Sequence, residues 1–563
     1  MASHLQNSLF LPAQSNPMNK DRFFNTTLLV LFTAAIIVNI LGMSMIEVMD
    51  EDAAQYASIS REMADTGYFL QVKHRGIDYL DKPPLLFWLN ALFFKVFGMS
   101  HFVYRLPSFL IMILGVYSTF RLGKLLYGHK VGLIAALFFA TNQTTFIVIH
   151  DVRTDSILTA LVIFAIWQLT KYLREGGTWP FILGFVGIGA GMLQKGPIAL
   201  MVPLLALGSN ALYHRSWKDI FRWEWLLGLL IVFIVLTPML WGLYQQHGMT
   251  GFRFYFWTQS FGRLTGENEW VDSTSYFYFV HTFMWSYLPW TFLALYALGT
   301  GFSDLFRGRS SELITLGGFM LAFIAFSMSQ YKLPHYIYVV FPLISILTAQ
   351  KLLVLIDSGK TFSKNIFLGA QVFVSVLLWT GILMISIIVF PLQNLLLIII
   401  LAAAFCSVIY LIIKGKGAFQ KYILTAALSI LFINLLLNTH FYPRLLKYQA
   451  GTQMAHYIQK NEIPLDKFYW FRVQSQATEY YLAHITPDYN PVLVDDYPVY
   501  LCTTPEGKQY LEEHGYESEV VKEFQQFPVT QLSLDFLNKN TREAALDKFY
   551  LLRLLTEGEI ANE

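Results

Sequence analysis

Long, uninterrupted apolar runs dominate this chain of 563 residues. Hydrophobic residues make up 55% of the sequence and charged residues only 14%. A run of about 20 apolar residues is long enough to cross a bilayer as a helix, and too long for one strand of a membrane barrel. In hydrocarbon every backbone polar group needs a partner inside the protein, and a helix provides it. The sequence therefore predicts a mainly α-helical polytopic membrane protein.

The apolar runs give about 13 candidate transmembrane helices. They lie near residues 24–46, 102–125, 129–148, 155–173, 178–194, 197–213, 224–244, 276–300, 311–329, 335–355, 366–391, 393–413 and 421–440. Basic residues fall on alternate connections, from Lys20 and Arg22 before the first span to Lys414 and Lys416 before the last. Because short cytoplasmic loops retain positive charge, the N-terminus is predicted to be cytoplasmic. No small-residue cleavage site follows the first span, so we interpret it as a retained helix.

An odd number of spans places the end of the chain on the opposite side of the membrane. Residues 1–440 are thus predicted to form a transmembrane domain, and residues 441–563 a soluble extracytoplasmic α/β domain. In the second part, β-like runs alternate with amphipathic helical segments. The β-like runs are 467–471, 491–495, 499–503 and 548–553, and the helical segments include 452–460 and 507–514. The sequence has no Gly-rich phosphate loop and no basic patch of the kind that binds nucleic acid, so membrane lipids, and not nucleic acid, are the predicted surroundings.

Residues suited to chemistry gather in the connections predicted to lie on the outer face. The largest of these connections, residues 47–101, is called the first loop below; its segment 53–63 is predicted to be helical, and its apolar segment 83–97 to lie in the membrane interface. The relevant motifs, in chain order, are Asp50-Glu51-Asp52 with Tyr56, Asp81-Lys82-Pro83-Pro84, His150-Asp151-Val152-Arg153-Thr154-Asp155, Gln194-Lys195-Gly196-Pro197, the run 252–267 with Arg263, and Lys332-Leu333-Pro334-His335-Tyr336.

The order of these motifs resembles that of the lipid-carrier-dependent glycosyltransferases of the GT-C class. The resemblance is carried by an acidic residue four before Tyr56, Asp81 directly before Lys82-Pro83-Pro84, Arg105-Leu106-Pro107, Asp155, Lys195-Gly196-Pro197, and Lys332 with Tyr336. The nearest relatives would be the bacterial aminoarabinose transferases that modify lipid A, with protein O-mannosyltransferases more distant. The resemblance covers the transmembrane part, and the C-terminal domain matches only in position and size.

The resemblance implies a GT-C fold and an inverting transfer of a sugar at the outer face of a bacterial inner membrane. The donor would be a polyprenyl phosphate, undecaprenyl in bacteria, and the acceptor lipid A or another glycan. Asp52 would be the catalytic residue, acting as a general base or orienting the acceptor. In the family, glutamate often follows this aspartate, whereas Ala53 follows Asp52 here. Asp50 and Glu51 are therefore kept as alternative candidates for the catalytic residue. Asp155, also assigned to catalysis, would line the sugar or acceptor side.

The remaining assignments concern substrate binding and a metal. Lys82 matches a residue that contacts the donor phosphate, and other predicted substrate-binding residues are Tyr56, Lys195, Arg263, Lys332, His335 and Tyr336. Cations lower the barrier by stabilising charge on the phosphate leaving group. Asp81 matches a position where some relatives have a glutamate that contacts a divalent metal ion. A single carboxylate is a poor metal site, so the sequence alone does not support a bound metal.

Simpler roles exist for several of these residues. Asp155 is also placed to cap the N-terminus of the fourth span, and lysines at span ends commonly snorkel to the interface. Arg263 lies in an aromatic stretch that would suit interfacial anchoring, and His335 would suit a structural role.

At the level of function, a transporter or lipid flippase is the main alternative. Transporters usually have two related halves and midplane charges, neither of which is evident here. A protein O-glycosyltransferase or oligosaccharide ligase cannot be separated from the first hypothesis by sequence.

Overall fold

The computed structural model describes residues 17–259, 262, 275–358, 361–494 and 496–556. Most of the membrane part is helical, as the apolar runs predict. Its helices are Pro17–Met45, His101–Tyr127, His129–Thr141, Gln143–His150, Thr154–Glu175, Thr178–Lys195, Ile198–Tyr213, Trp217–Ile220, Glu224–Arg253, Tyr278–Ser286, Thr291–Phe306, Ile314–Ser327, Phe341–Asp357, Thr361–Met384, Leu395–Lys414, Thr425–Leu436 and Tyr442–Leu445. Helical turns of other types cover Phe254–Thr258, Pro334–Val340, Ile385–Val389, Phe419–Leu424, Leu437–Phe441 and Leu446–Tyr448.

Eight helices in the described ranges are long and apolar enough to cross a membrane, or nine if the bent pair His129–Thr141 and Gln143–His150 is one span. This number is lower than the 13 predicted, although every predicted span contains a helix. The four spans outside the count are occupied by Thr178–Lys195, Ile198–Tyr213, Thr291–Phe306 and Ile314–Ser327. In the predicted span 276–300 the first helix ends at Ser286, just before Leu288-Pro289, because proline has no backbone N–H to continue it.

The first loop contains two helices, Asp52–Thr66 and Leu85–Phe97, joined by a short antiparallel hairpin of Lys73–His74 and Ile77–Asp78. The helix Asp52–Thr66, called the loop helix below, is buried along most of its length. The loop also lies directly on the helix Glu224–Arg253. A side chain at Gly242 would meet the carbonyl oxygen of Leu70 at 1.9 Å, so only glycine permits this close approach. This packing holds the first loop over the helical bundle.

Arg105 holds the start of the first loop in place. Its fully buried guanidinium donates to the backbone carbonyls of Ile46, Glu47 and His150 at 2.6, 2.9 and 2.8 Å. A buried cation needs several partners to offset its desolvation, and here carbonyls from two connections supply them. Arg105 therefore joins the entry of the first loop to the connection that precedes Asp155.

A four-stranded sheet forms the centre of the C-terminal domain, which is taken here from Ala450 onward. The strands are Phe468–Trp470, Val499–Thr503, Ser518–Gln526 and Asp547–Leu554, and the helices are Ala450–Lys460, Gln476–Leu482, Pro505–Glu513 and Leu534–Leu537, with 3-10 turns at Leu465–Lys467, Pro491–Leu493 and Arg542–Ala545. The first two strands are parallel, and the last strand pairs antiparallel with both the second and the third.

The strand prediction for this domain is wrong at two places. Residues Pro491–Leu493 form a 3-10 turn instead of the predicted strand, because Asn490 caps Val492 and Pro491 favours a turn. The strand Ser518–Gln526, which was not predicted, lies at the edge of the sheet. Its charged residues face solvent, so its sequence lacks the alternation of apolar and polar residues that indicates a half-buried strand. The predicted boundary between residues 440 and 441 stays a prediction; the helical segment Phe419–Tyr448 runs through it.

The C-terminal domain packs on the first loop through the helix Gln476–Leu482. Tyr480 of this helix belongs to the same buried apolar cluster as Tyr56 and Phe87 of the first loop. Arg61 of the loop helix donates to the carbonyl of Glu479 at 3.2 Å. The loop helix is therefore held between the membrane helices and the C-terminal domain.

Candidate active site

A single cavity collects most of the residues that the sequence singled out. It encloses about 1260 Å³, including open solvent at its mouth, between the first loop and the helical bundle. Its lining includes seven predicted site residues: Asp52, Tyr56, Lys82, Asp155, Lys195, His335 and Tyr336. These residues come from four separate connections, which the fold brings together at one end of the bundle.

Asp52 is the first residue of the loop helix, and Arg153 holds its carboxylate. Arg153 donates to Asp52 through Nη1 and to Asp151 through Nε at 2.8 Å. Burial disfavours the charged guanidinium, but the two carboxylates more than offset this and raise the pKa of Arg153 above its usual value. Arg153 was not assigned a role from the sequence, although it stands two residues before Asp155. The feature of the sequence that could have indicated a role for Arg153 was its position between Asp151 and Asp155.

The two alternative carboxylates, Asp50 and Glu51, form hydrogen bonds with the C-terminal domain. Asp50 accepts hydrogen bonds from the Ser475 hydroxyl at 2.6 Å and the Ala477 amide at 3.1 Å, both in the C-terminal domain. Glu51 accepts from the Thr530 hydroxyl at 3.4 Å and has a backbone φ of 73°, which is uncommon for a residue with a Cβ. Of the three acidic residues 50–52, Asp52 is the one that lines the cavity.

Tyr56 lies one helical turn after Asp52, on the same side of the loop helix. Its side chain is buried and packs edge-on against Phe87 at 5.9 Å between ring centroids. Burial, helped by the negative charge of Asp52, raises the pKa of the Tyr56 phenol well above its usual value. Tyr56 therefore stays a neutral hydrogen-bond donor at the cavity wall.

Asp155 and Lys195 form a buried ion pair deeper in the cavity. The ammonium of Lys195 donates to both carboxylate oxygens of Asp155 at 2.6 and 2.7 Å, and Nε2 of His335 lies 3.6 Å from one of them. The same ammonium is 4.4 Å from the centroid of the Tyr336 ring. Asp155 lies in the first turn of its helix but does not cap it; Arg153 holds the N-cap position without a side-chain bond. All four residues line the cavity, while their substrate roles stay predictions.

Lys82 lines the cavity rim and pairs with the neighbouring carboxylate of Asp81. Asp81 also accepts from the amide of Gln259 at 3.0 Å and lies 3.5 Å from the Tyr79 hydroxyl. Gln259 is a further lining residue to which the sequence analysis gave no role, although it lies within the run 252–267. Asp81 thus connects Lys82 to the end of the helical segment that follows Glu224.

The described residues do not fit a metal centre at Asp81. Within them, no group of three or more His, Cys, Asp or Glu side chains is arranged to hold an ion. The Asp81 carboxylate is instead surrounded by the donors of Lys82 and Gln259. A divalent cation prefers about six oxygen ligands, so this donor set suits an ion pair better.

One predicted binding residue, Lys332, does not line the cavity, and another, Arg263, is not among the described residues. Lys332 is buried, with its ammonium 5.6 Å from the centroid of the Tyr276 ring, and it is not among the lining residues. Its prediction rested on the motif shared with the GT-C family and on its positive charge, but a 3-10 helix begins at Pro334, between Lys332 and His335. Arg263 lies outside the described residues.

Taken together, the cavity contains one partly exposed carboxylate at its rim and three cations around it. The Asp52 side chain is 44% exposed, whereas those of Arg153, Lys195 and Lys82 are 15–20% exposed. In such an arrangement the carboxylate can orient an acceptor or take a proton from it at the rim, and the cations can stabilise negative charge deeper in the cavity.

Comparison with known proteins identifies related sequences. Residues 81–241 match the family described as dolichyl-phosphate-mannose-protein mannosyltransferase. An undecaprenyl phosphate-alpha-4-amino-4-deoxy-L-arabinose arabinosyl transferase of Edwardsiella ictaluri is 29% identical over 338 residues, covering 57% of this chain and 58% of that protein. The enzyme of the same name from Enterobacter sp. is 25% identical over 343 residues, covering 60% and 61%. The chain therefore aligns with somewhat more than half the length of these relatives.

The fold matches over nearly the whole chain. The crystal structure of ArnT from Cupriavidus metallidurans bound to undecaprenyl phosphate superimposes with a TM-score of 0.73 at 17% identity, covering 93% of this chain and 97% of that one. The apo structure of the same protein gives 0.71. The predicted resemblance to GT-C glycosyltransferases is confirmed. This chain has the GT-C fold, with eight or nine described helices that are long and apolar enough to cross a membrane.

Proposed function

We propose that this chain is an inverting glycosyltransferase that transfers a sugar from polyprenyl phosphate to lipid A or another envelope glycoconjugate. The GT-C fold, the alignment with aminoarabinose transferases and the motif order in the membrane part all support this reading. The observation that carries it is the convergence of Asp52, Arg153 and Lys82 on one cavity that faces the first loop.

In the proposed reaction, an oxygen of the acceptor attacks the anomeric carbon of the sugar. A bond forms between that oxygen and the carbon, while the bond from the carbon to the phosphate oxygen breaks. The electron pair leaves with polyprenyl phosphate. Where the acceptor is a hydroxyl, its proton passes to Asp52; where it is a phosphate, Asp52 and Arg153 orient it. The nucleophile and the leaving group lie on opposite faces of the sugar, so configuration inverts.

Lys82 is proposed to stabilise the phosphate of the donor, with Lys195 and Tyr336 deeper in the cavity. The leaving phosphate gains negative charge as the bond breaks, and a preorganised cation is most effective when its site excludes water. Asp155 holds Lys195 in place through its two hydrogen bonds. Lys332 would contribute only if substrate binding brought it to the cavity. Arg263, outside the described residues, stays a proposed contact for the same phosphate. Asp81 is proposed as the residue that orients Lys82, and no step is assigned to a metal ion.

The proposed orientation has the N-terminus in the cytoplasm and the cavity and C-terminal domain in the periplasm. It is supported by the alternation of basic connections along the chain. The described part of the chain gives no sign of the two related halves expected of a transporter, since its large first loop has no counterpart in the second half.

The test is mass spectrometry of lipid A and other envelope glycoconjugates from cells with and without this protein. Loss of one sugar mass from a defined acceptor on deletion, restored by the wild-type chain, is the expected result. An unchanged glycan profile together with altered lipid or solute movement would instead favour the transporter alternative.

A further inference from the structure

A second cleft lies on the other side of the turn that carries Asp52. It encloses about 690 Å³, including open solvent, between residues Asp50 and Glu51 of the first loop and the C-terminal domain. Glu51 lines this cleft and the next residue, Asp52, lines the active-site cavity. A molecule seated in the cleft would therefore lie beside the proposed catalytic carboxylate.

The chemistry of the cleft differs from that of the active-site cavity. Its polar lining is rich in amides, from Gln474, Gln476 and Gln526, together with the Thr530 hydroxyl. An amide offers two donors and an acceptor, which suits neutral hydroxyl groups. The Gln526 carbonyl oxygen accepts from the backbone of the C-terminal domain, which leaves its amide group fixed in position.

Charge argues against a phosphate in this cleft. Its described lining contains the carboxylates of Asp50 and Glu51 and no lysine or arginine. The phosphate-compatible cations Lys82, Arg153 and Lys195 all line the other cavity. The two cavities thus differ in their cations, which line the active-site cavity and are absent from the described lining of this cleft. The rings of Phe527 and Phe549 add apolar surface on which a sugar ring can pack.

We propose that this cleft binds the hydroxyl-rich saccharide part of the acceptor and presents it to Asp52. The inference rests on the proposed function, because it assigns the acceptor of that same transfer. It also gives the C-terminal domain a role, since that domain supplies the three glutamines and Thr530. The hydrogen bonds of Asp50 to Ser475 and Ala477 hold the cleft and the catalytic turn in fixed relation.

The test uses a substitution that fills the cleft without changing the core of the C-terminal domain. Thr530 is exposed at the cleft wall, so Thr530→Trp adds bulk there, while Gln531→Trp adds the same bulk at the next exposed position, which does not line the cleft. Binding of lipid A, with and without its phosphates, is measured on the purified full chain without donor. The account predicts that the Thr530→Trp variant weakens binding of the dephosphorylated lipid at least tenfold, and that the Gln531→Trp variant matches wild type.

The outcomes separate this inference from the proposed function. Unchanged binding in the Thr530→Trp variant, or no saturable binding of the dephosphorylated lipid by wild type, would overturn the cleft assignment. Binding that is lost when the phosphates are removed would overturn it as well, because it would place recognition on the anion. The proposed transfer is judged separately, by release of polyprenyl phosphate from the donor in wild type. A chain that binds the lipid in the cleft but never releases polyprenyl phosphate would retain the site and lose the transferase function.

Discussion

Arg153 donates a hydrogen bond to the carboxylate of Asp52, a residue 101 positions away in the chain. The same guanidinium bonds Asp151 at 2.8 Å, so its plane is fixed from two sides. One cation thus sets the direction of the proposed catalytic carboxylate and adds positive charge beside it. This relationship connects the first loop to the start of the fourth predicted span.

Replacing Arg153 with Lys should lower kcat on the order of 10²-fold, because a single ammonium cannot hold two carboxylates in the planar fork of a guanidinium. The donor KM should change less. Steady-state transfer by the purified chain measures both constants. Arg222→Lys serves as the control, since Arg222 pairs with Asp219 away from the cavity. Equal kcat in wild type and the Arg153→Lys variant would remove Arg153 from the mechanism.

Replacing Lys82 with Ala should weaken use of the polyprenyl phosphate donor by about 10- to 100-fold, the value of a hydrogen bond to a charged group. Lys82→Arg should retain more activity than Lys82→Ala because it keeps the charge. The measurement is donor KM and turnover at saturating acceptor. Lys73→Ala removes a lysine from the hairpin of the same loop and should behave as wild type. Unchanged donor KM and turnover in Lys82→Ala would refute the phosphate role.

Variants of the buried pair Asp155 and Lys195 distinguish an effect on stability from an effect on sugar transfer. Its side chains are 2% and 15% exposed, so removing one partner takes away the ion pair that offsets burial of the other and should cost about 3–5 kcal/mol. Asp155→Asn or Lys195→Met alone should lower the thermal unfolding temperature. The double variant should recover most of that stability but not transfer, if Lys195 also stabilises the leaving phosphate. Recovery of both stability and activity would show that the pair is only structural.

Asp81 gives a test of the metal prediction. If Asp81 orients Lys82, Asp81→Asn should reduce transfer about tenfold, the scale of one charged hydrogen bond. Chelation of divalent ions should leave wild-type transfer unchanged, and added Mg²⁺ or Mn²⁺ should not rescue the variant. Loss of wild-type activity on chelation, restored by the metal, would contradict this role and support the original assignment of Asp81 as a metal ligand.

The sequence predicted the class of fold and most of the cavity, because apolar runs and motif order are local signals. Asp52, Lys82, Asp155 and Lys195 each stand in a recognisable motif, and each lines the cavity. Eight or nine of the predicted spans contain described helices that are long and apolar enough to cross a membrane, and the other four contain further helices, so the number of 13 spans stays a prediction.

What the sequence could not predict depends on contacts between distant segments. Asp50 and Asp52 are both aspartates in one turn, and only the docking of Ser475 and Ala477 shows that Asp50 belongs to the domain interface. Gln259 lines the cavity although no role was predicted for it, and Lys332 does not line it although it was predicted to bind substrate. The reason is the same in both cases: the path of the backbone, not the residue type, decides which side chain reaches the cavity. Spacing along the chain carries no information on that path.

The central claim is that Asp52 carries the transfer, and the most direct measurement is the rate of sugar transfer from polyprenyl phosphate to lipid A by the purified Asp52→Asn variant. We expect a loss of about 10²- to 10⁴-fold, the scale of general-base catalysis, with an unchanged unfolding temperature and unchanged donor binding. Transfer by the Asp52→Asn variant within twofold of wild type would contradict the account.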